Sequence, residues 1–195
     1  MEAGFAVTGI DMSDSTLDRA KQKCDDASVS VDLIKADIRD FHLNKRYPLI
    51  LIPANTIVHL KEIDELEACL TCVKAHLEPE GRLIIDTHYP SIRYLHTEWI
   101  KPSTTEYPSP SDDGPVLVTS TSRYDSATQI NVVKMTYRLG ENERVDTLEI
   151  RLHFPRELEA ILRYNGFTLE RRIGNYEGDP FHSGSEKQIV VAVPT

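Results

Sequence analysis

The sequence predicts an α/β fold built on a parallel sheet, and three observations carry that prediction. Short apolar segments alternate with amphipathic helical ones up to about residue 97. The first of them, Ala6-Val-Thr-Gly-Ile10, is closed by an acidic residue, Asp11, with Ser13 behind it to cap a helix. A later one, 48–53 (PLILIP), is so uniformly apolar that it reads as a central strand covered on both faces.

Taken in order, a helix is expected over 13–24, because Leu17, Ala20 and Cys24 recur at helical spacing with charges between them. A second strand is predicted over 29–36 (VSVDLIKA), with Asp37 just past its end, and PLILIP forms the third. The helix at 63–77 places Ile63, Leu66, Cys69, Leu70, Val73 and Leu77 on one face and is stopped by Pro79-Glu-Gly81; Arg82-Leu-Ile-Ile-Asp86 is the next strand. From 102 to 115 the Pro, Ser, Thr and Asp content marks a surface loop or lid. Three β-type segments follow at 116–124, 129–137 and 145–154, spaced as antiparallel strands added over one end of the sheet. A helix at 155–165 starts on Pro155 and is followed by Gly166, and strands at 167–173 and 188–193 close the sheet. The chain is thus read as one domain, with 1–97 and 155–195 flanking a loop and β insertion at 98–154.

Composition narrows the class. A formal charge of -9 with few basic clusters argues against nucleic acid or an anionic membrane as partner, since both require basic surface. Three cysteines, an N-terminus without a basic n-region and apolar runs far short of a membrane span point to the cytoplasm. Cys69 and Cys72 form a C-x-x-C, but at i and i+3 of an amphipathic helix and with no second pair they read as core packing, so no metal is expected. Gly174, Gly178 and Gly184 read as turn glycines.

The order AVTGID, VDLIKADIRDF, YPLILIPANTIVHL, LEPEGRLIIDTHYP, NGFTLERR and KQIVVAV resembles the class I S-adenosylmethionine-dependent methyltransferases, in particular small-molecule members with a β-rich insertion. The resemblance covers the whole chain. It implies a Rossmann-like sheet, S-adenosylmethionine as cofactor and a small N- or O-acceptor as substrate. Asp11 matches the acidic position that holds the ribose hydroxyls, and Met12 beside it packs on the adenine; helix capping is the alternative role for Asp11. Asp37, with Ile38 after it, matches the position that accepts from the adenine amino group. Pro53, Asn55, Thr56 and His59 match the segment that passes under the methionine part and faces the acceptor. His59 is the expected general base, because an imidazole accepts a proton near neutral pH; a structural histidine bonded to backbone is the competing reading. Asp86, His88 and Tyr89 follow the next strand on the acceptor side, and Arg123, His153 and Tyr176 are expected to line the pocket from the β insertion.

The chain departs from that pattern at its start. The family's first strand and its Gly-rich turn lie about 20 residues before the acidic strand end, and counting back from Asp11 runs off the sequence. The expectation is a sequence N-terminally truncated at an internal Met1, giving a sheet with an exposed edge covered by a second copy or a partner, and weak or no cofactor binding in the chain as it stands. The alternative is a non-catalytic binding or regulatory module that has lost the cofactor.

Overall fold

The computed structural model describes residues 4–90, 95, 102–108 and 114–195. The predicted N-terminal stretch therefore lies outside the described residues at 1–3, and the predicted loop at 109–113.

β1 (Thr8–Asp11) runs parallel to β2 (Asp32–Lys35), joined by α1 (Asp14–Asp26). Ser13 is the N-cap of α1 and its hydroxyl accepts from the Thr16 N–H, so the cap falls on Ser13 and not on Asp11. Leu17, Ala20 and Cys24 form the less exposed face of α1, yet none of its residues is fully buried.

β3 (Tyr47–Ile52) leads through a 3-10 helix (Thr56–His59) into α2 (Ile63–His76), which returns directly into β4 (Leu77–His88). β3 and β4 are parallel, whereas β10 (Lys187–Pro194) is antiparallel to both β4 and β9 (Phe167–Ile173), giving the order β3-β4-β10-β9. The parallel sheet predicted from the alternation is thus confined to two pairs. β9 and β10 follow one another without a crossover helix, and strands joined that way run antiparallel. Pro79-Glu-Gly81 lies within β4 and does not end the helix; Leu77, fully buried, already pairs with Tyr47.

The core lies where α2 and α3 (Pro155–Tyr164) cover this sheet. Leu66, Cys69, Leu70 and Val73 of α2 and Leu158, Ile161 and Leu162 of α3 pack with Ile52, Leu83, Ile85, Val190 and Ala192. Each such aliphatic side chain contributes roughly 1.5–3 kcal/mol through burial. Two details correct the sequence reading. Ile63, placed on the core face, is exposed, and β3 is covered on one face only, with Leu49 46% and Leu51 54% exposed. Among the described residues, the second edge of β3 and that of β1 carry no strand.

The β insertion forms a separate antiparallel sheet in the order β5-β6-β7-β8 (Ser103–Tyr107, Val116–Asp125, Ile130–Leu139 and Asn142–Arg151). β5 corrects the loop expected over 102–115. Its hydroxyls pair across the strands, Ser103 with Ser120 and Thr104 with Thr119 at 3.0 Å each, so polar residues serve as strand formers here. Gly166 ends α3 at φ 76°, a left-handed conformation that suits glycine.

Candidate functional site at the strand ends

Parallel strands bring their carboxyl ends to one side of a sheet, and ligands of α/β proteins bind there. Asp11 ends β1 and its carbonyl accepts from the N–H of Ala36, which places Asp11 beside the turn carrying Asp37. One oxygen of Asp11 accepts from the Ser13 N–H at 2.8 Å. Met12, next to it, is 58% exposed, an apolar surface with no core to fill. Asp37 is tied up differently: Arg39 donates to both of its oxygens and bridges it to Glu65 of α2. Those bonds from Arg39 hold the Asp37 carboxyl below the usual carboxylate range. Ile38 is half-buried against the hydrophobic core.

The turn after β3 is built from backbone that side chains rarely adopt. Ala54 (φ 54°) and Asn55 (φ 64°) are consecutive non-glycine residues in the left-handed region. Asp86, at the end of β4, supports both: its carbonyl accepts from the Asn55 N–H at 3.0 Å and its carboxylate from the Ala54 N–H at 3.2 Å. Pro53 is exposed at the start of the turn, and its carbonyl accepts from the Thr56 hydroxyl at 2.7 Å. The side-chain oxygen of Asn55 is buried and has no partner among the described residues. His59 is exposed at the end of the 3-10 helix.

Asp86 is itself 5% exposed and is the centre of a cluster that the sequence did not disclose. Lys187 Nζ donates to one oxygen at 2.8 Å and the Tyr176 hydroxyl to the other at 2.6 Å. Burial alone would push the Asp86 carboxyl up; the donors from Lys187, Tyr176 and Ala54 outweigh it and hold the group below the carboxylate range. Next to it, burial pushes the His88 imidazole down, and Lys187 adds to the effect. Tyr89 stacks edge-on against Phe181, 5.1 Å between ring centroids.

These contacts sort the predicted residues. Asp11 and Asp37 come together at adjacent strand ends, and Asn55 and Thr56 share the turn pinned to Asp86. Tyr176 reaches this cluster from the loop between β9 and β10, not from the β insertion as expected. His153 is corrected more sharply. It is 1% exposed, with Nε2 3.1 Å from the Ile57 carbonyl, and so it ties the end of β8 to the 3-10 helix instead of lining a pocket. Arg123 is exposed on β6 opposite Val132. Lys187 was missed because it lies 101 residues from Asp86 and carries no motif.

Residues 1–81 match a family described as a methyltransferase domain. The whole chain aligns with the CcbJ methyltransferase of Streptomyces caelestis at a TM-score of 0.84 and 20% identity, covering 100% of this chain and 76% of that one. The chain has the class I methyltransferase fold. Among curated relatives, the cypemycin N-terminal methyltransferase of a Streptomyces species is 26% identical over 195 residues, covering 97% of this chain and 75% of that protein. The dTDP-3-amino-3,4,6-trideoxy-alpha-D-glucopyranose N,N-dimethyltransferase of Streptomyces venezuelae is 28% identical over 78 residues, covering 40% of this chain; the chain spans only 31% of that relative.

The residues present fit the cofactor of class I methyltransferases, S-adenosylmethionine. The orphaned Asn55 oxygen is an acceptor awaiting a donor, as a methionine ammonium would provide. At the other strand ends, Asp11 and the exposed Met12 offer a carboxylate and an apolar surface side by side. The C-x-x-C fits no such role. Cys69 is fully buried, with burial pushing its thiol up to about 12, and Cys72 Sγ lies 3.3 Å from the Arg39 carbonyl. Among the described residues no helix is long and apolar enough to cross a membrane.

Proposed function

We propose that this protein transfers a methyl group from S-adenosylmethionine to an amine or hydroxyl of a small molecule, in the cytoplasm. The observation that carries the reading is the paired arrangement of strand ends. Two carboxylates, Asp11 and Asp37, stand at one pair of parallel strands, and a strained turn with a buried, unpartnered Asn55 oxygen stands at the other. The relatives named as an N,N-dimethyltransferase and an N-terminal methyltransferase favour a nitrogen acceptor.

Bound S-adenosylmethionine would supply an activated methyl group on a sulfonium, which leaves alignment and proton removal to the protein. In this reading Asp11 and Met12 hold the ribose and adenine, Asp37 and Ile38 complete the adenine side, and Pro53 and Asn55 carry the methionine end. His59 takes the proton the acceptor must lose, while Thr56, Tyr89 and Tyr176 border the acceptor.

Calorimetric titration of S-adenosylhomocysteine tests this directly, in the 195-residue chain and in a form extended upstream by about 60 residues, a βα unit and its lead-in. Binding in either form that falls at least about tenfold in Asp11→Ala is the expected result. Absence of binding in both forms would overturn the enzyme reading and favour a non-catalytic module.

A further inference from the structure

We propose that Tyr176 and Lys187, acting through Asp86, form a latch that holds the left-handed Ala54–Asn55 turn in its ligand-receiving shape; the ligand named here rests on the function proposed above. Two adjacent non-glycine residues at φ 54° and 64° persist only where the surroundings over-determine them. Within the turn the Pro53 carbonyl accepts from Thr56 and the Asn55 carbonyl from Val58, but the amides of Ala54 and Asn55 themselves both donate to Asp86, one to its carboxylate and one to its carbonyl.

That carboxylate is 5% exposed, and its side-chain donors both come from beyond β9. Lys187 begins β10, opposite His88 in the ladder, so its position is set by the sheet. Tyr176 is different. Its ring is 70% exposed and buries little apolar surface, yet its hydroxyl reaches the buried carboxylate at 2.6 Å, and Lys187 Nζ lies 5.0 Å from the ring centroid. A tyrosine that packs this little is held by its polar contacts.

The loop that carries Tyr176 is braced internally. Asn175 and Asp179 exchange two hydrogen bonds at 2.8 and 3.0 Å, Gly174 N–H donates to the Asp179 carbonyl, and Ile173 bridges Pro180. It therefore presents the phenol from a preformed base. Removing the phenol leaves Asp86 with fewer donors, frees it to move, and slackens the turn that carries the orphaned Asn55 oxygen. Tyr176, Lys187 and Asp86 are positioning residues in this scheme, and the group they position is the Asn55 side chain.

The test is amide hydrogen exchange on the free protein, compared between the wild type, Tyr176→Phe, Lys187→Met and Lys187→Gln. Tyr176→Phe is expected to speed exchange at Ala54 and Asn55 by about tenfold while the melting temperature falls by no more than about 3–5 °C, the loss of one hydrogen bond. Lys187→Met should show the same local signature, and Lys187→Gln, which keeps an N–H for the carboxylate, should restore part of the protection. Tyr164→Phe, at an exposed tyrosine on α3, is the control that leaves exchange unaltered. Unchanged exchange at residues 54 and 55 in Tyr176→Phe overturns the latch, whether or not a cofactor binds.

Where the wild type binds S-adenosylhomocysteine, Tyr176→Phe should weaken it by about tenfold. Weakened binding with unaltered exchange would mean that Tyr176 touches the ligand directly, which also overturns the latch. Altered exchange in a protein that binds no S-adenosylhomocysteine in either form would sink the proposed function and leave the latch standing.

Discussion

His59 and His153 have opposite surroundings, and the difference decides what each can do. His59 is exposed at the end of a 3-10 helix, so its imidazole is free to meet an acceptor. Replacing it by alanine is expected to lower kcat by about a hundredfold and leave S-adenosylhomocysteine affinity unaltered, as seen by steady-state kinetics beside calorimetry. An unaltered kcat would remove the proton from its charge and leave His88 to be tested. His153 is sealed in the core, where its Nδ1 has no partner. Burial holds its imidazole below the ordinary value near 6.5, and the same holds for His88. Below that value the unfolded chain takes up protons that the native imidazoles refuse. Stability is therefore full above pH 6.5 and falls as the pH drops below it. Melting temperatures recorded from pH 7.5 to 5 should show this decline, and His153→Gln should flatten it. A wild-type curve with no slope in that window would refute the assignment.

At the scale of elements, the entry into α2 is fastened by one side chain. Glu65 accepts from the N–H groups of Lys61 at 2.8 Å and Glu62 at 3.1 Å, and its other oxygen pairs with Arg39. Glu65→Ala should lower the unfolding free energy by about 1–2 kcal/mol in denaturant titrations, and Glu65→Gln, which keeps the carbonyl oxygen, by less. Much of this level was legible beforehand. The periodicities of Leu66, Cys69, Leu70 and Val73 in α2, and Pro155 with Gly166 around α3, mark real helices because burial and backbone geometry act locally. β5 was not legible, since Ser103 and Thr104 become strand residues through the ladder and hydroxyl pairs they form with Ser120 and Thr119 of β6 across the intervening residues. The covered face expected of β3 was likewise an inference from composition, and composition does not say whether a covering element is at hand.

Across the whole molecule, the open face and edge of β3 are the main irregularity. Leu49 and Leu51 point to one exposed face of a strand whose edge is unpaired among the described residues, an arrangement that favours association. Light scattering over a concentration series should show the chain self-associating, and Leu51→Lys should suppress this with little change in melting temperature. Size independent of concentration in the wild type would show that this surface is not adhesive. The sequence by itself determined the strands ending in Asp11 and before Asp37, the apolar face of α2 and the two ends of α3. Each of those follows from short-range pattern and the direction of the chain. Only the tertiary structure decided that Asp86, Tyr176 and Lys187 meet, that His153 is sealed away from the site, and that Asn55 holds an unpaired oxygen. Those facts depend on which strands lie side by side, and strand order is set by contacts between residues as far apart as 101 positions.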